Sequence, residues 1–180
     1  MKITKRKFLM GLTALMGSQA VAQAGSAYEA YLSFDGPSAL KFLTQSEFEV
    51  VTKIADIIIP DTETGGAEKA GVGFFIDHLF ASVYSEEKAK GYKALLKVFQ
   101  KENPNFLEMS LKKQTQLVAK LDDRMYAEKP ITNFYKYTKQ FTVMGYYTSQ
   151  IGAEEELAYD PVPGPYHQVA LADYPKTWST

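Results

Sequence analysis

Residues 132–167, TNFYKYTKQFTVMGYYTSQIGAEEELAYDPVPGPYH, decide how the rest of the chain is read. Thr132 is placed to cap a helix start, and Gly152 to close it in a left-handed conformation. Tyr137, Phe141, Met144 and Ile151 recur at helical spacing on one face, while Phe134, Tyr135, Val143, Tyr146 and Tyr147 occupy others. A helix apolar nearly all round is covered from several sides, either by its own chain or by another protein. After it, Tyr159-Asp160-Pro161-Val162-Pro163-Gly164-Pro165-Tyr166 cannot continue the helix, because proline lacks an N–H and restricts its neighbour. This segment reads as an extended strap with aromatic ends.

Working outward, capping signals and apolar periodicity predict four more helices. Thr44-x-x-Glu47 is a capping box, followed by Phe48, Val51, Ala55 and Ile58 at helical spacing and stopped by Pro60. A second helix runs from about Gly71 to Tyr84, with Val72, Phe75, Ile76, Leu79, Phe80 and Val83 inward. Ser85 with Glu86 and Glu87 opens a third, with Tyr92, Leu95, Leu96 and Phe99 inward, and Asn103-Pro104 breaks it. Ser110 starts a fourth, burying Leu111, Val118, Leu121 and Met125. The basic and acidic residues around Lys112, Lys120 and Asp122 read as a solvated face. The expected fold is all-α: a compact bundle of about five helices with an extended C-terminal strap over 157–180.

The first residues have a different character. Lys2, Lys5, Arg6 and Lys7 precede a short apolar run from Phe8 to Gly17, and Ala20-Val21-Ala22 and Ala22-Gln23-Ala24 are both small-x-small cleavage patterns. This is an export signal over 1–24, cut after Ala22 or Ala24, followed by a leader at 25–40 and the helical domain at 41–180. Thr4-Lys5-Arg6-Lys7-Phe8-Leu9 resembles a twin-arginine signal with Lys5 in place of the first arginine, so the folded-protein and Sec routes both stay open. The first 24 residues hold four of the 20 basic residues and none of the 21 acidic ones, leaving 16 against 21, a net charge of −5. A mature chain of that sign is not built to coat nucleic acid.

Chemistry is sparse. The absence of cysteine excludes disulfides, thiol catalysis, thiolate metal sites and covalent c-type haem attachment. Asp61-Thr62-Glu63-Thr64-Gly65-Gly66 begins like a calcium loop, but its twelfth position is Val72, where a glutamate belongs, and it reads as a solvated connection. Asp77 and His78 are adjacent on a helix and point about 100° apart, so His78 reads as a structural histidine. Glu154-Glu155-Glu156 reads as a solvated cluster. Nothing gathers a nucleophile, a base and an orienting group, so no catalytic, cofactor-binding or metal-ligating residue is expected.

Several segments resemble the gluconate 2-dehydrogenase subunit 3 family, the small subunits of membrane-bound FAD-dependent sugar dehydrogenases. They are Phe42-Leu43-Thr44, Ile58-Ile59-Pro60-Asp61-Thr62 with Gly65 and Ala67, Ala70-Gly71-Val72, and Phe75-Ile76-Asp77. The last are Gly145-Tyr146-Tyr147-Thr148-Ser149-x-Ile151-Gly152 and Leu157-x-Tyr159-Asp160-Pro161-Val162-Pro163-Gly164-x-Tyr166. The family often has proline near Gly65, where this chain has Gly65-Gly66. The resemblance implies a non-catalytic subunit that escorts a large FAD subunit of the glucose-methanol-choline type through export and supports its maturation. It also implies a periplasmic complex held at the inner membrane, with electrons passing to haem c in a cytochrome subunit. In that reading Lys5, Arg6, Phe8 and Leu9 engage the export machinery. Tyr146, Tyr147, Tyr159, Pro161, Pro163, Gly164 and Tyr166 meet the partner. A free-standing periplasmic helical ligand-binding protein is the alternative.

Overall fold

The computed structural model describes residues 39–127 and 133–157. The export signal, most of the leader, Thr132 and the strap from residue 158 onward lie outside the described residues. Within them the chain forms five α-helices: α1 (Gln45–Ile58), α2 (Val72–Ser82), α3 (Glu86–Glu102), α4 (Leu111–Tyr126) and α5 (Asn133–Thr148). A 3-10 turn (Phe106–Glu108) joins α3 to α4, and a π-helical turn (Ile151–Glu156) follows α5.

Local chemistry sets the helix starts. At α1 the Thr44 hydroxyl accepts from the Glu47 amide at 3.3 Å and the Glu47 carboxylate accepts from the Thr44 amide at 2.9 Å, which satisfies two donors a helix start leaves open. Ser85 caps α3, whose first turn carries Glu86 and Glu87. At α2, Gly71 adopts the left-handed conformation (φ 72°), so the chain can turn straight from the loop into the helix.

The aromatic helix α5 packs against all four other helices, as its many apolar faces predict, but the most buried helix is α2. Eight of its eleven residues are buried, including Val72, Phe75, Ile76, Leu79 and Phe80. The α1 face of Val50, Val51, Ile54 and Ala55 and the α5 face of Phe134, Phe141 and Tyr146 belong to the same core. Each large apolar side chain so buried contributes about 1.5–3 kcal/mol. Phe80 sits in an aromatic cluster with Tyr92 (ring centroids 4.1 Å apart), Phe42 (5.5 Å) and Phe141 (5.7 Å). Helix α5 approaches so closely that a Cβ on Gly145 would stand 2.6 Å from the Phe75 ring.

Helix α5, covered by four neighbours, still leaves one strip outward. Thr138 and Thr142 are buried beside Phe134 and Phe141, whereas Met144, expected inward, is 41% exposed. The threonines fit the core because their hydroxyls donate back to the carbonyls of Phe134 (2.8 Å) and Thr138 (2.7 Å), leaving no unpaired group. Leu111, also expected inward, is 61% exposed. The first turn of α4 instead meets the 3-10 turn through buried Gln114, whose amide donates to the Phe106 carbonyl at 2.8 Å. Gly152 does not close α5 in a left-handed conformation. It lies inside the π-helical turn, where a Cβ would collide with the Tyr146 carbonyl oxygen, so only glycine permits the turn to fold this tightly.

Candidate partner interface

The segments singled out in the sequence converge in two places. The first is the end of the bundle where the α1–α2 loop meets the end of α5. The Asp61 carboxylate accepts from the Gly66 amide at 3.0 Å and pairs with Lys69. Lys69, and after it the Gly66 amide, holds the Asp61 carboxyl below its ordinary value. The loop is pinned to α1 by the Ala67 amide, which donates to the Ile59 carbonyl at 2.9 Å. From the loop, the Thr64 hydroxyl donates to Glu156 at 2.8 Å and lies 3.2 Å from the Tyr146 hydroxyl. Ser149 finishes the lock: its hydroxyl donates to the Tyr146 carbonyl at 2.6 Å and accepts from the Gly152 amide at 3.1 Å. Glu156 is thus tied to the loop rather than part of a solvated cluster.

Two of the expected interface residues fall in this region, and they behave differently. Tyr146 is 2% exposed, its ring in the core and its hydroxyl against Thr64. Tyr147 is 39% exposed and stands edge-on to Tyr146, with centroids 5.2 Å apart. Val143 and Met144 are exposed one turn earlier and make an outward apolar strip with Tyr147. Tyr159, Pro161, Pro163, Gly164 and Tyr166 lie outside the described residues, as do Lys5, Arg6, Phe8, Leu9, Ala22 and Ala24.

The second convergence joins Phe42-Leu43-Thr44 to Phe75-Ile76-Asp77. The buried Asp77 carboxylate accepts from three successive backbone amides, those of Lys41 (2.8 Å), Phe42 (3.0 Å) and Leu43 (2.6 Å). Lys93 of α3 donates to the Phe42 carbonyl at 2.6 Å and pairs with Glu47 at 3.2 Å. His78 lies buried beside Asp77 on α2. An acid in an otherwise apolar helix was the visible signal for this cluster. The spacing of the apolar residues alone does not reveal its partner.

A third polar contact clamps α4 to α5. Asp122 accepts from the Tyr135 hydroxyl at 3.0 Å and pairs with Lys139, so it is not part of a solvated face. Burial, reinforced by Asp122, pushes the Tyr135 hydroxyl well above its ordinary value. Hydrogen bonding to Asp122 raises Lys139. Burial likewise raises Tyr92, whose hydroxyl lies 3.0 Å from that of Thr138.

A groove between α3 and α5, lined by Lys88, Gly91, Tyr92, Leu95 and Tyr137, holds about 140 Å³. Small-molecule sites enclose roughly 300–1,000 Å³. Among the described residues no three His, Asp or Glu side chains gather as a metal site, and no helix is long and apolar enough to cross a membrane.

These features define a small all-α protein with an outward apolar strip beside a polar-locked loop. The profile of the gluconate 2-dehydrogenase subunit 3 family matches residues 45–164, and the chain belongs to that family. The match takes in α1 through the π-helical turn and reaches Gly164. No curated protein and no solved structure matches the chain.

Proposed function

We propose that the chain is the non-catalytic small subunit of an exported FAD-dependent sugar or sugar-acid dehydrogenase, carrying the export signal for a large flavoprotein subunit and supporting its maturation. The observation that carries this reading is the family match over residues 45–164. In the working complex, FAD sits in the large subunit, haem c in a cytochrome subunit takes the electrons, and the assembly is periplasmic at the inner membrane.

Two features of the bundle support a binding role. The strip of Val143, Met144 and Tyr147 exposes large apolar side chains on one helix face, and tyrosine suits an interface because it buries a large ring while keeping a polar hydroxyl. Beside it, the Thr64–Glu156 bond ties the π-helical turn to the α1–α2 loop. Tyr147 is the contact residue. Tyr146 acts through it, packed behind it and held by the loop. In this account the strap residues Tyr159, Pro161, Pro163, Gly164 and Tyr166 extend the same contact.

Export of the pair tests the escort role. Changing Lys5 and Arg6 together to glutamine is expected to strand both this chain and the flavoprotein in the cytoplasm, whereas Lys5→Arg leaves export intact. Fractionation with antibodies to both proteins reads the result. Normal export of the flavoprotein beside the double variant would refute the escort role.

A further inference from the structure

Residues 41–44 are held in an unusual way. They form no regular secondary structure before α1, yet side chains from three helices hold their backbone groups. Asp77 of α2 takes the amides of Lys41, Phe42 and Leu43, Glu47 of α1 takes the Thr44 amide, and Lys93 of α3 takes the Phe42 carbonyl. A helix start needs only its own cap, which Thr44 and Glu47 already provide.

We propose that Asp77 is an anchor coupling residues 41–44 to the folded state of the bundle, so that this segment is held only while the bundle behind it is formed. Three successive amides make a concave anion site, and a carboxylate is the ligand such a site favours. This carboxylate sits in the middle of the most buried helix, and Asp77 itself is only 3% exposed. It reaches the amides only when α2 is packed in the core. Conversely, α2 cannot pack there with the carboxylate unpaired without a large desolvation cost. Anchor and core therefore form together, and loss of the core frees residues 41–44. This inference does not depend on the proposed partner.

Lys41 is exposed and its following peptide bond is a trypsin site, so limited proteolysis of the full chain tests the anchor. In Asp77→Asn, release of the fragment beginning at Phe42 is expected to be at least about tenfold faster than in the wild type. The amides of Phe42 and Leu43 are expected to lose hydrogen-exchange protection by a similar factor, and those of Leu79 and Phe80 to lose a smaller part of theirs, because the coupling is reciprocal. An unchanged cleavage rate, or full protection kept at Leu79 and Phe80, would overturn the proposal. Should Asp77→Asn not fold, Ile54→Val, a mild core truncation on α1, decides. Loss of protection at Phe42 and Leu43 in step with Leu79 and Phe80 supports the coupling, and protection kept at Phe42 and Leu43 while Leu79 and Phe80 lose theirs overturns it.

Discussion

Tyr146 and Tyr147 are neighbours of one residue type with opposite surroundings. Tyr146→Ala removes a buried ring and is expected to destabilise the bundle by about 3–5 kcal/mol, as large core truncations do. Tyr147→Ala is expected to leave the melting temperature nearly unchanged and to weaken the complex with the flavoprotein by about 1–3 kcal/mol. Thermal melts of the isolated subunit and titration with the partner separate the two effects. A melting loss at Tyr147, or undiminished affinity, would remove Tyr147 from the interface. Gly145→Ala is expected to cost about 1–3 kcal/mol in the same melts, because its Cβ would meet the Phe75 ring at 2.6 Å. At this scale the sequence was only partly legible. Aromatic residues surround α5 in the sequence, and their spacing does not say which ones face inward. The buried side is marked instead by Thr138, Thr142 and Gly145, residues whose polarity or small size hides their role until their hydrogen bonds and close contacts are seen.

Among the elements, helix starts were the most readable feature. The Thr44 capping box and the Ser85 cap lie where their side-chain chemistry places them, since both depend on residues within one turn. The 3-10 turn was not legible, because its buried Phe106 packs on Phe99 from the preceding helix and its carbonyl is met by Gln114 of the next. Nor was the α4–α5 clamp, which joins residues from separate helices. That clamp and the buried Tyr92 of α3 make a pH prediction. Tyr92 and Tyr135 hold their protons above their ordinary value of 10.0, and Lys139 above 10.5. The unfolded chain releases these protons first, so it binds fewer than the folded chain, and stability falls as pH rises. The contribution is complete below about pH 10 and is lost progressively above it. Urea unfolding followed by circular dichroism is expected to show a falling midpoint across that range. Combining Tyr92→Phe with Lys139→Met should flatten the fall. An alkaline profile unchanged by both substitutions would show that Tyr92 and Lys139 are not its source.

For the whole molecule, α5 packs against the other four helices, α2 is the most buried, and both ends of the described chain are tied to the bundle, one through Asp77 and the other through Thr64 and Glu156. The all-α class was legible because helical spacing and caps recur along the chain. Which helix is the most buried was not, since that depends on close approaches such as Gly145 to Phe75. If the strap serves a partner, deleting Leu157 onward should leave a helical subunit that no longer assembles. Loss of helicity in the deletion, or retained assembly, would return the strap to the bundle's own stability. The most direct test is co-purification. This chain, tagged and expressed with the large FAD-dependent dehydrogenase of the same genome, is expected to carry that subunit and its flavin absorbance through affinity and size-exclusion steps. The tagged chain expressed alone is expected to show no flavin spectrum. Elution of the chain without the flavoprotein, or a flavin spectrum from the chain alone, would contradict the account.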